Sequence, residues 1–380
     1  MSKFFLLTVL CITIHLSKAN AQSDFELLKS IHTEDKSYVI SNYSIHSALG
    51  MLSLCTEGDA QQEILRFFDV DSEGALVKNH QKITSILNSF NNEFSINNGL
   101  WMDKPYHLQS NVKKELINYY QLYFKSISFK NSELVKSTIN NYVNDKTEGK
   151  IKEVVSKVEK DDKMLLINTV LMRAAWKDQF QEKNTKEGEF FLEDGTTINI
   201  NYLSDLNRKA FCFKNDTINV LKLPFENDKM ELMLISSNVF SMNELLSSSI
   251  NKNTISALEA KMKEKEVFFK MPKVKITYTK DIIPELKGVG LNHIFFPGQA
   301  GFTKMVKQGG ENLYVSKVMH ESIIEFNEWG TEAAAVTSVS ISRSALQPEK
   351  EEYYFNQPFI FLIKEKATDS YLFMGVYQGK

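Results

Sequence analysis

The sequence predicts an α+β fold in which helices come first along the chain and strands later. Helical spacing of apolar residues dominates the first 160 of the 380 residues, and strand-like runs dominate the rest. The 16 glycines and 7 prolines are about half of the share usual in globular proteins. The chain has no repeat, low-complexity tract or linker, so we expect a single domain rather than a string of modules.

The helical half of the chain shows apolar residues that recur with a period near 3.6. The predicted helices are Ser44–Cys55, Ala60–Phe68, Asn79–Ser89, Leu108–Tyr123, Ser137–Val143 and Lys150–Val158.

The strand-rich half begins at Met164–Ala175, a near-continuous apolar run that is typical of a strand buried on both faces. Further strand-like runs follow it along the chain. They are Ile198–Leu203, Ala210–Phe213, Ile218–Leu223, Glu231–Ser236, Val267–Tyr278, Tyr354–Leu362 and Tyr371–Tyr377.

The N-terminus has the three parts of a secretory signal. Lys3 precedes the eleven-residue apolar run Phe4–Ile14, and Ala19-Asn20-Ala21 has the small-x-small form of a cleavage site. A buried N-terminal helix is the alternative, whereas the run is too short to span a membrane. We therefore predict a signal peptide over residues 1–21, a mature domain over residues 22–380 and secretion of the protein.

Secretion makes disulfides and glycans possible. The mature chain would keep Cys55 and Cys212, which could pair; the apolar helical surroundings of Cys55 favour free thiols. Two sequons are present. Asn215-Asp216-Thr217 is flanked by charge and is the predicted glycosylation site, whereas Asn42-Tyr43-Ser44 lies between apolar runs and is expected to be buried.

Composition and motifs argue against several classes of function. The formal net charge of -2 gives no electrostatic reason to expect nucleic-acid binding. The sequence contains no phosphate-binding loop, no dinucleotide fingerprint, no zinc motif and no nucleophile elbow. We therefore expect no cofactor, no metal and no membrane partner, and we do not expect an enzyme.

Residues 328–347 stand out because most of them are small or β-branched. Thr331, Ala333 and Ala335 would share one face of a strand with the uncharged residues that follow at the same parity. The other face would be mostly polar. The segment could be an ordinary strand or linker, or an exposed loop that is able to become a strand.

The sequence around this segment resembles the hinge of the reactive-centre loop of serpins. The resemblance covers nearly the whole mature chain as an ordered set of motifs. The matching segments are Ile40–Ile45, Ala48–Leu52, Asn98–Trp101, Ile139–Val143, Thr147–Ile151, Leu166–Thr169 through Trp176 and Phe180, Val315–His320, Glu328–Ala335, Phe355–Phe359 and Leu372–Gly375.

The resemblance implies a serpin fold with three β-sheets, about eight to nine helices and an exposed reactive-centre loop near residues 328–350. It also implies a monomeric suicide-substrate inhibitor that traps a serine protease as a covalent acyl complex. The cleaved loop would insert as a strand into sheet A. By position, the resemblance assigns three sites. The hinge consists of Glu328, Gly330, Thr331, Glu332, Ala333, Ala334 and Ala335. The shutter, which lies beneath sheet A in the family, consists of Ser41, Ser44, Asn168 and His320, and Trp176 marks the breach, where the loop enters the sheet.

The scissile bond is predicted at Arg343-Ser344, since Arg343 is the only long cation among residues 328–347 and suits the Asp-floored pocket of a trypsin-like protease. Ser344-Ala345, for an elastase-like target, and Leu346-Gln347, for a chymotrypsin-like target, stay open. A cysteine protease also stays open as the target.

The chain departs from the family pattern at Asn42, where proline is usual, and at Trp329, where a polar residue is usual. The alternatives to inhibition are a non-inhibitory serpin, such as a carrier, storage protein or chaperone, and an unrelated secreted binding module. Such non-inhibitory members usually carry bulky, charged or proline hinge residues, and Thr331–Ala335 lacks these.

Overall fold

The computed structural model describes residues 23–34, 36–90, 93–331 and 350–380. They divide into two compact units. The first contains the described residues up to Ile31 together with Ile40–Leu171 and Tyr278–Ser322. The second contains His32–Val39, Met172–Thr277 and Ile323–Lys380.

Nine α-helices occur among the described residues. They are α1 (23–31), α2 (Asn42–Ser53), α3 (Gly58–Phe67), α4 (Glu73–Asn88), α5 (Ser110–Tyr120), α6 (Ser132–Lys146), α7 (Met242–Glu244), α8 (Lys252–Glu259) and α9 (Ile283–Gly288).

The strands are β1 (Tyr38–Ile40), β2 (Phe94–Asp103), β3 (Tyr123–Ile127), β4 (Met164–Met172), β5 (Ala174–Ala175), β6 (Lys186–Phe191), β7 (Thr197–Lys214), β8 (Ile218–Pro224), β9 (Met230–Ser237), β10 (Lys263–Pro272), β11 (Val274–Asp281), β12 (Lys317–Phe326), β13 (Gly330–Thr331), β14 (Glu352–Tyr354), β15 (Phe359–Glu365) and β16 (Ser370–Tyr377).

These strands form three sheets. Five strands follow the order β11-β12-β4-β2-β3, and β13 pairs with β5 alone. The third sheet has nine strands in the order β1-β16-β15-β9-β8-β7-β10-β14, with β6 also paired to β7. The predicted α+β class with three sheets and eight to nine helices is confirmed.

Local chemistry explains where the helices begin. Serine or asparagine side chains accept a hydrogen bond from a first-turn amide at Ser41 before α2, Ser72 before α4 and Asn131 before α6. All nine residues of β4 are buried, as its near-continuous apolar run predicts. No helix among the described residues is long and apolar enough to span a membrane.

One predicted helix, Lys150–Val158, is wrong: this stretch is irregular. The amide groups of Val154 and Val155 both donate to the side-chain oxygen of Asn140, each at 3.0 Å. Asn140 also donates to the carbonyl of Val155 at 3.0 Å. A side chain on α6 therefore provides the partners that helix carbonyls would have supplied.

Candidate functional site

The four predicted shutter residues form one buried hydrogen-bonded cluster in the first unit. Asn168 on β4 is at its centre: its amide nitrogen donates to the Ser44 carbonyl at 3.1 Å, and its amide oxygen accepts from the Ser44 hydroxyl. His320 on β12 contacts the same oxygen through Nδ1 at 3.1 Å. The backbone amide of Ser41 donates to His320 Nε2, also at 3.1 Å. We call these four residues the shutter cluster.

The protonation state of His320 follows from its partners. Nε2 accepts from a backbone amide, so Nδ1 must carry the proton and donate it to Asn168. Complete burial lowers the pKa of His320 to about 3. The imidazole is therefore neutral at physiological pH, and the shutter cluster contains no charge.

The structure adds Asn98 to this hydrogen-bond network, which the sequence did not identify, and places a buried carboxylate beside His320 in the chain. Asn98 on β2 accepts from the Asn168 amide at 2.7 Å and donates to the Ser47 hydroxyl at 2.8 Å. Beside His320 in the chain, Glu321 is 1% exposed and accepts from the Thr279 hydroxyl at 3.0 Å. Burial raises the pKa of Glu321 to about 7.

Asn42 is fully buried at the first position of α2, as predicted, so its sequon is inaccessible in the folded chain. Neither polar atom of its side chain has a hydrogen-bond partner within the described ranges.

The breach site, residues 174–180 and 326–331, lies within the second unit. Trp176 is 2% exposed, stacks on Phe225 with ring centroids 4.9 Å apart, and donates its indole N–H to the Asn327 carbonyl at 2.8 Å. The backbone amide of Trp176 donates to the Trp329 carbonyl, also at 2.8 Å. The predicted breach tryptophan therefore contacts the chain on both sides of Glu328, the first hinge residue.

A tight turn reverses the chain between Asn327 and Gly330. The Asn327 side-chain oxygen accepts from the amides of Trp329 and Gly330 at 3.0 and 3.1 Å. Gly330 has a φ of 151°, and a Cβ there would lie 2.0 Å from the Ala174 carbonyl oxygen. Only glycine allows this close approach of two backbones.

The first two hinge residues that follow this turn are already part of a strand pair. Gly330 pairs with Ala175, and Thr331 pairs with Ala174, in antiparallel register. Thr331 is fully buried, and its hydroxyl oxygen accepts from the Ala174 amide at 2.8 Å. β13 is thus a two-residue strand beside β5.

Glu328, the first hinge residue, is held by polar partners although it is only 3% exposed. Lys273 contacts its carboxylate at 2.9 Å, and the Thr185 hydroxyl donates to it at 2.8 Å. Burial raises the pKa of Glu328, but the hydrogen bonds from Lys273 and Thr185 outweigh it, so the pKa lies below its ordinary value. Glu328 is ionised at neutral pH.

Comparison of the sequence with models of known protein families agrees with this architecture and these contacts. The model of the serpin (serine protease inhibitor) family matches residues 18–378. The chain belongs to the serpin family. Alpha-1-antitrypsin 1-4 of Mus musculus is 28% identical to this serpin over 91% of this chain and 84% of that protein. Leukocyte elastase inhibitor of Xenopus tropicalis is 27% identical over 96% and 99% of the two chains.

A solved structure supports the fold of this serpin. The thermophilic serpin tengpin, in its native state, superposes with a TM-score of 0.87 at 24% identity. The alignment covers 96% of this chain and 94% of that chain. The predicted serpin fold is confirmed.

Several predicted residues of this serpin lie outside the described residues. They are the signal peptide (1–21), Glu332, Ala333, Ala334 and Ala335 of the hinge, and Arg343, Ser344, Ala345, Leu346 and Gln347 around the scissile bond.

Other predicted features fall within the described residues. Asn215 is exposed in the turn between β7 and β8. Cys55 and Cys212 are both buried free thiols, as the sequence favoured. The described part of the chain contains no cluster of His, Cys, Asp or Glu that could hold a metal ion.

Proposed function

We propose that this serpin is a suicide-substrate inhibitor of serine proteases rather than an enzyme. The observation that carries the proposal is the pairing of Gly330 and Thr331 with β5. Insertion would extend a strand that already exists, so the costly first contacts of a new strand are made before any protease arrives.

The proposed reaction begins as ordinary proteolysis. The serine Oγ of the protease attacks the carbonyl carbon of Arg343, and the peptide bond to Ser344 breaks. The Ser344 amine leaves with a proton, and the Arg343 acyl group stays on the protease as an ester. Strand insertion must then remove this ester from the reach of water before it is hydrolysed.

The composition of the loop supports insertion. The thirteen residues from Thr331 to Arg343 would span about 43 Å as a strand, comparable to the diameter of a domain of this size. From Thr331 to Ile341, the residues at the parity of Thr331 carry no charge and no proline. A charge or proline there would stall insertion, because a buried unpaired charge or a lost ladder hydrogen bond is costly. A stalled loop would be cleaved as a substrate.

A trypsin-like protease is the proposed target because Arg343 is the long cation of the loop. One relative is named for inhibition of leukocyte elastase, so elastase-like cleavage at Ser344-Ala345 is the second possibility. Cleavage at Leu346-Gln347 would indicate a chymotrypsin-like target.

We further propose that the protein is secreted as a monomer after loss of residues 1–21 and that Asn215 carries a glycan. The exposure of Asn215 and the burial of Asn42 support modification at Asn215 alone. Expression in secretory cells should give a glycosidase-sensitive mass that Asn215→Gln abolishes. A retained glycan on N215Q would contradict this assignment.

The proposed inhibition is tested with trypsin and the purified mature chain. We expect a complex that resists SDS, and release of a C-terminal peptide that begins at Ser344. Arg343→Ala should abolish the trypsin complex, whereas the matched control Arg66→Ala, at an exposed arginine of α3, should retain it. Full inhibition by R343A with an unshifted cleavage site would overturn the assignment of the scissile bond to Arg343-Ser344. If trypsin-like, elastase-like and chymotrypsin-like proteases all cleave the wild-type loop and none forms a complex, the protein is a non-inhibitory serpin.

A further inference from the structure

Arg208 on β7 is a buried cation for which the insertion reaction has no evident use. The residue is 3% exposed. Desolvation lowers the pKa of its guanidinium, although the carboxylates of Asp205 and Asp178 raise it. An apolar side chain of similar length could fill this space without the desolvation cost of a charge. The contacts of Arg208 indicate what the cation provides instead.

The guanidinium contacts one short segment of chain and one carboxylate. Its carbon lies 4.0 Å from the centroid of the Phe180 ring, a cation–π arrangement that is strongest when the cation is desolvated. One terminal nitrogen donates to the Asp178 carbonyl. The Nε atom lies 3.2 Å from the Asp205 carboxylate. Arg208 therefore fixes both the backbone at Asp178 and the ring of Phe180.

The segment that Arg208 holds is the one that bonds to the hinge. The amide of Phe180 donates to the Glu328 carbonyl at 2.8 Å, and the amide of Trp176 donates to the Trp329 carbonyl at the same distance. The Phe180 ring also packs edge-on against Trp176, with centroids 6.1 Å apart. Movement of Phe180 would therefore disturb both hydrogen bonds next to the point where β13 begins.

We propose that Arg208 is a positioning residue of the breach site. Through Phe180 and Asp178 it holds residues 176–180 in register with residues 328–329, and it thereby sets the fraction of cleaved loops that insert before the acyl-enzyme is hydrolysed. The second part of this statement rests on the proposed inhibitory function. The first part does not.

Amide hydrogen exchange tests the first part without a protease. In Arg208→Met we expect the Trp176 and Phe180 amides to exchange about tenfold faster than in the wild type, because their local opening becomes easier. The Leu221 and Ile235 amides, in the core of the nine-stranded sheet, should change no more than overall stability requires. Arg208→Lys keeps the charge but loses the planar fork, and should restore part of the protection.

A matched control separates positioning from general stabilisation. Lys252 is another buried cation of the same unit; it pairs with Asp369 on the β15–β16 hairpin, away from residues 174–180 in the chain. Lys252→Met should lower stability and leave the Trp176 and Phe180 amides protected relative to the rest of the molecule. An R208M exchange pattern equal to that of K252M would overturn the positioning role.

Should R208M fail to fold, Asp205→Asn replaces it. This variant keeps the cation but removes its carboxylate partner, so we expect about threefold faster exchange at the same two amides. Wild-type protection of both amides in D205N would then overturn the proposal.

The second part is tested by the number of inhibitor molecules consumed per trypsin trapped. R208M should at least double that number, while the rate of the initial loop cleavage stays unchanged. Faster exchange with an unchanged number would overturn the link to insertion. If the wild type traps no protease, the proposed function fails, but the exchange measurement still decides the role of Arg208.

Discussion

The shutter cluster and the breach site are built from different kinds of interaction. In the shutter cluster, four neutral residues exchange hydrogen bonds around Asn168, and burial keeps His320 uncharged. The breach site instead combines direct backbone pairing at Gly330 with a buried carboxylate, Glu328, whose lysine partner is 39% exposed.

The difference teaches how each region can change state. Neutral hydrogen bonds can be exchanged for others at small net cost, so a network such as the shutter cluster suits a place where strands must separate. A close backbone approach at Gly330 and an ionised Glu328 tolerate no such exchange. They fix where a strand starts, which is the role that we propose for the breach site.

The largest expected effect comes from the centre of the shutter cluster. Asn168→Ala removes four hydrogen bonds and leaves the Ser44, His320 and Asn98 side chains buried without this partner. We expect the free energy of unfolding, from urea titration, to fall by about 4 kcal/mol. The exposed Asn111→Ala is the control, with a change within about 0.5 kcal/mol. A loss below about 1 kcal/mol for N168A would mean that the cluster is not cooperative.

The ion pair of the breach site should respond asymmetrically. Lys273→Ala leaves the 3%-exposed Glu328 with the Thr185 hydroxyl as its remaining side-chain donor, so we expect a loss of about 2 to 3 kcal/mol. Glu328→Ala leaves a lysine that can turn into solvent, at a cost of about 1 kcal/mol.

The pair of exposed Lys275 and half-buried Glu325 provides the control for this comparison. Lys275 is 70% exposed, so Lys275→Ala should change the urea midpoint very little. Equal losses for K273A and E328A, or a larger loss for E328A, would contradict the view that burial of Glu328 dominates the pair.

A smaller effect should appear in the pH dependence, because His320 and Glu321 oppose each other. His320 has an ordinary pKa of 6.5 and a folded pKa of about 3, so below 6.5 the unfolded chain binds the extra proton, and stability falls as pH falls. The pKa of Glu321 rises from an ordinary 4.5 to about 7 in the folded chain. Between these two pH values the folded chain holds the extra proton, so stability falls as pH rises. Between about pH 4.5 and 6.5 the two contributions cancel.

Two variants should reveal these opposed slopes between pH 4.5 and 6.5. Glu321→Gln should make stability rise with pH by about 1 kcal/mol per unit more than in the wild type, and His320→Gln should shift the slope by a similar amount in the opposite direction. Urea titrations at several pH values measure both slopes. Slopes that do not change would mean that both groups titrate alike in the folded and unfolded chains.

Much of the fold was predictable because β4 is a near-continuous apolar run and the helices have clear periodicity. The strand β12 was missed because buried His320, Glu321 and Ser322 interrupt its apolar pattern. The two strands predicted at Ile198–Leu203 and Ala210–Phe213 are parts of the single strand β7. The strand continues through the polar residues between them because β10 pairs with these residues as well.

The candidate site was predictable only where it matched family motifs. Ser41, Ser44, Asn168 and His320 lie in one hydrogen-bonded cluster, and their role as a shutter stays a prediction. Asn98 lies within the matching segment Asn98–Trp101, but no sequence pattern indicates its hydrogen bond with Asn168. The roles of Asn327 and Arg208 could not be found from the sequence, because they depend on contacts between residues that are distant in the chain. Asn327 binds Trp176, which is 151 positions away, and Arg208 contacts Phe180 and Asp178, which are 28 and 30 positions away.

The central claim, that cleavage lets the loop extend β13 into a full strand, is tested most directly by heating. The chain should be cut once between residues 331 and 350, with the site verified by N-terminal sequencing, and its unfolding midpoint compared with that of the intact protein. We predict that cleavage raises the midpoint by more than about 10 °C, because a whole strand is added to a sheet. An equal or lower midpoint in the cleaved protein would contradict insertion and, with it, the proposed inhibitory mechanism.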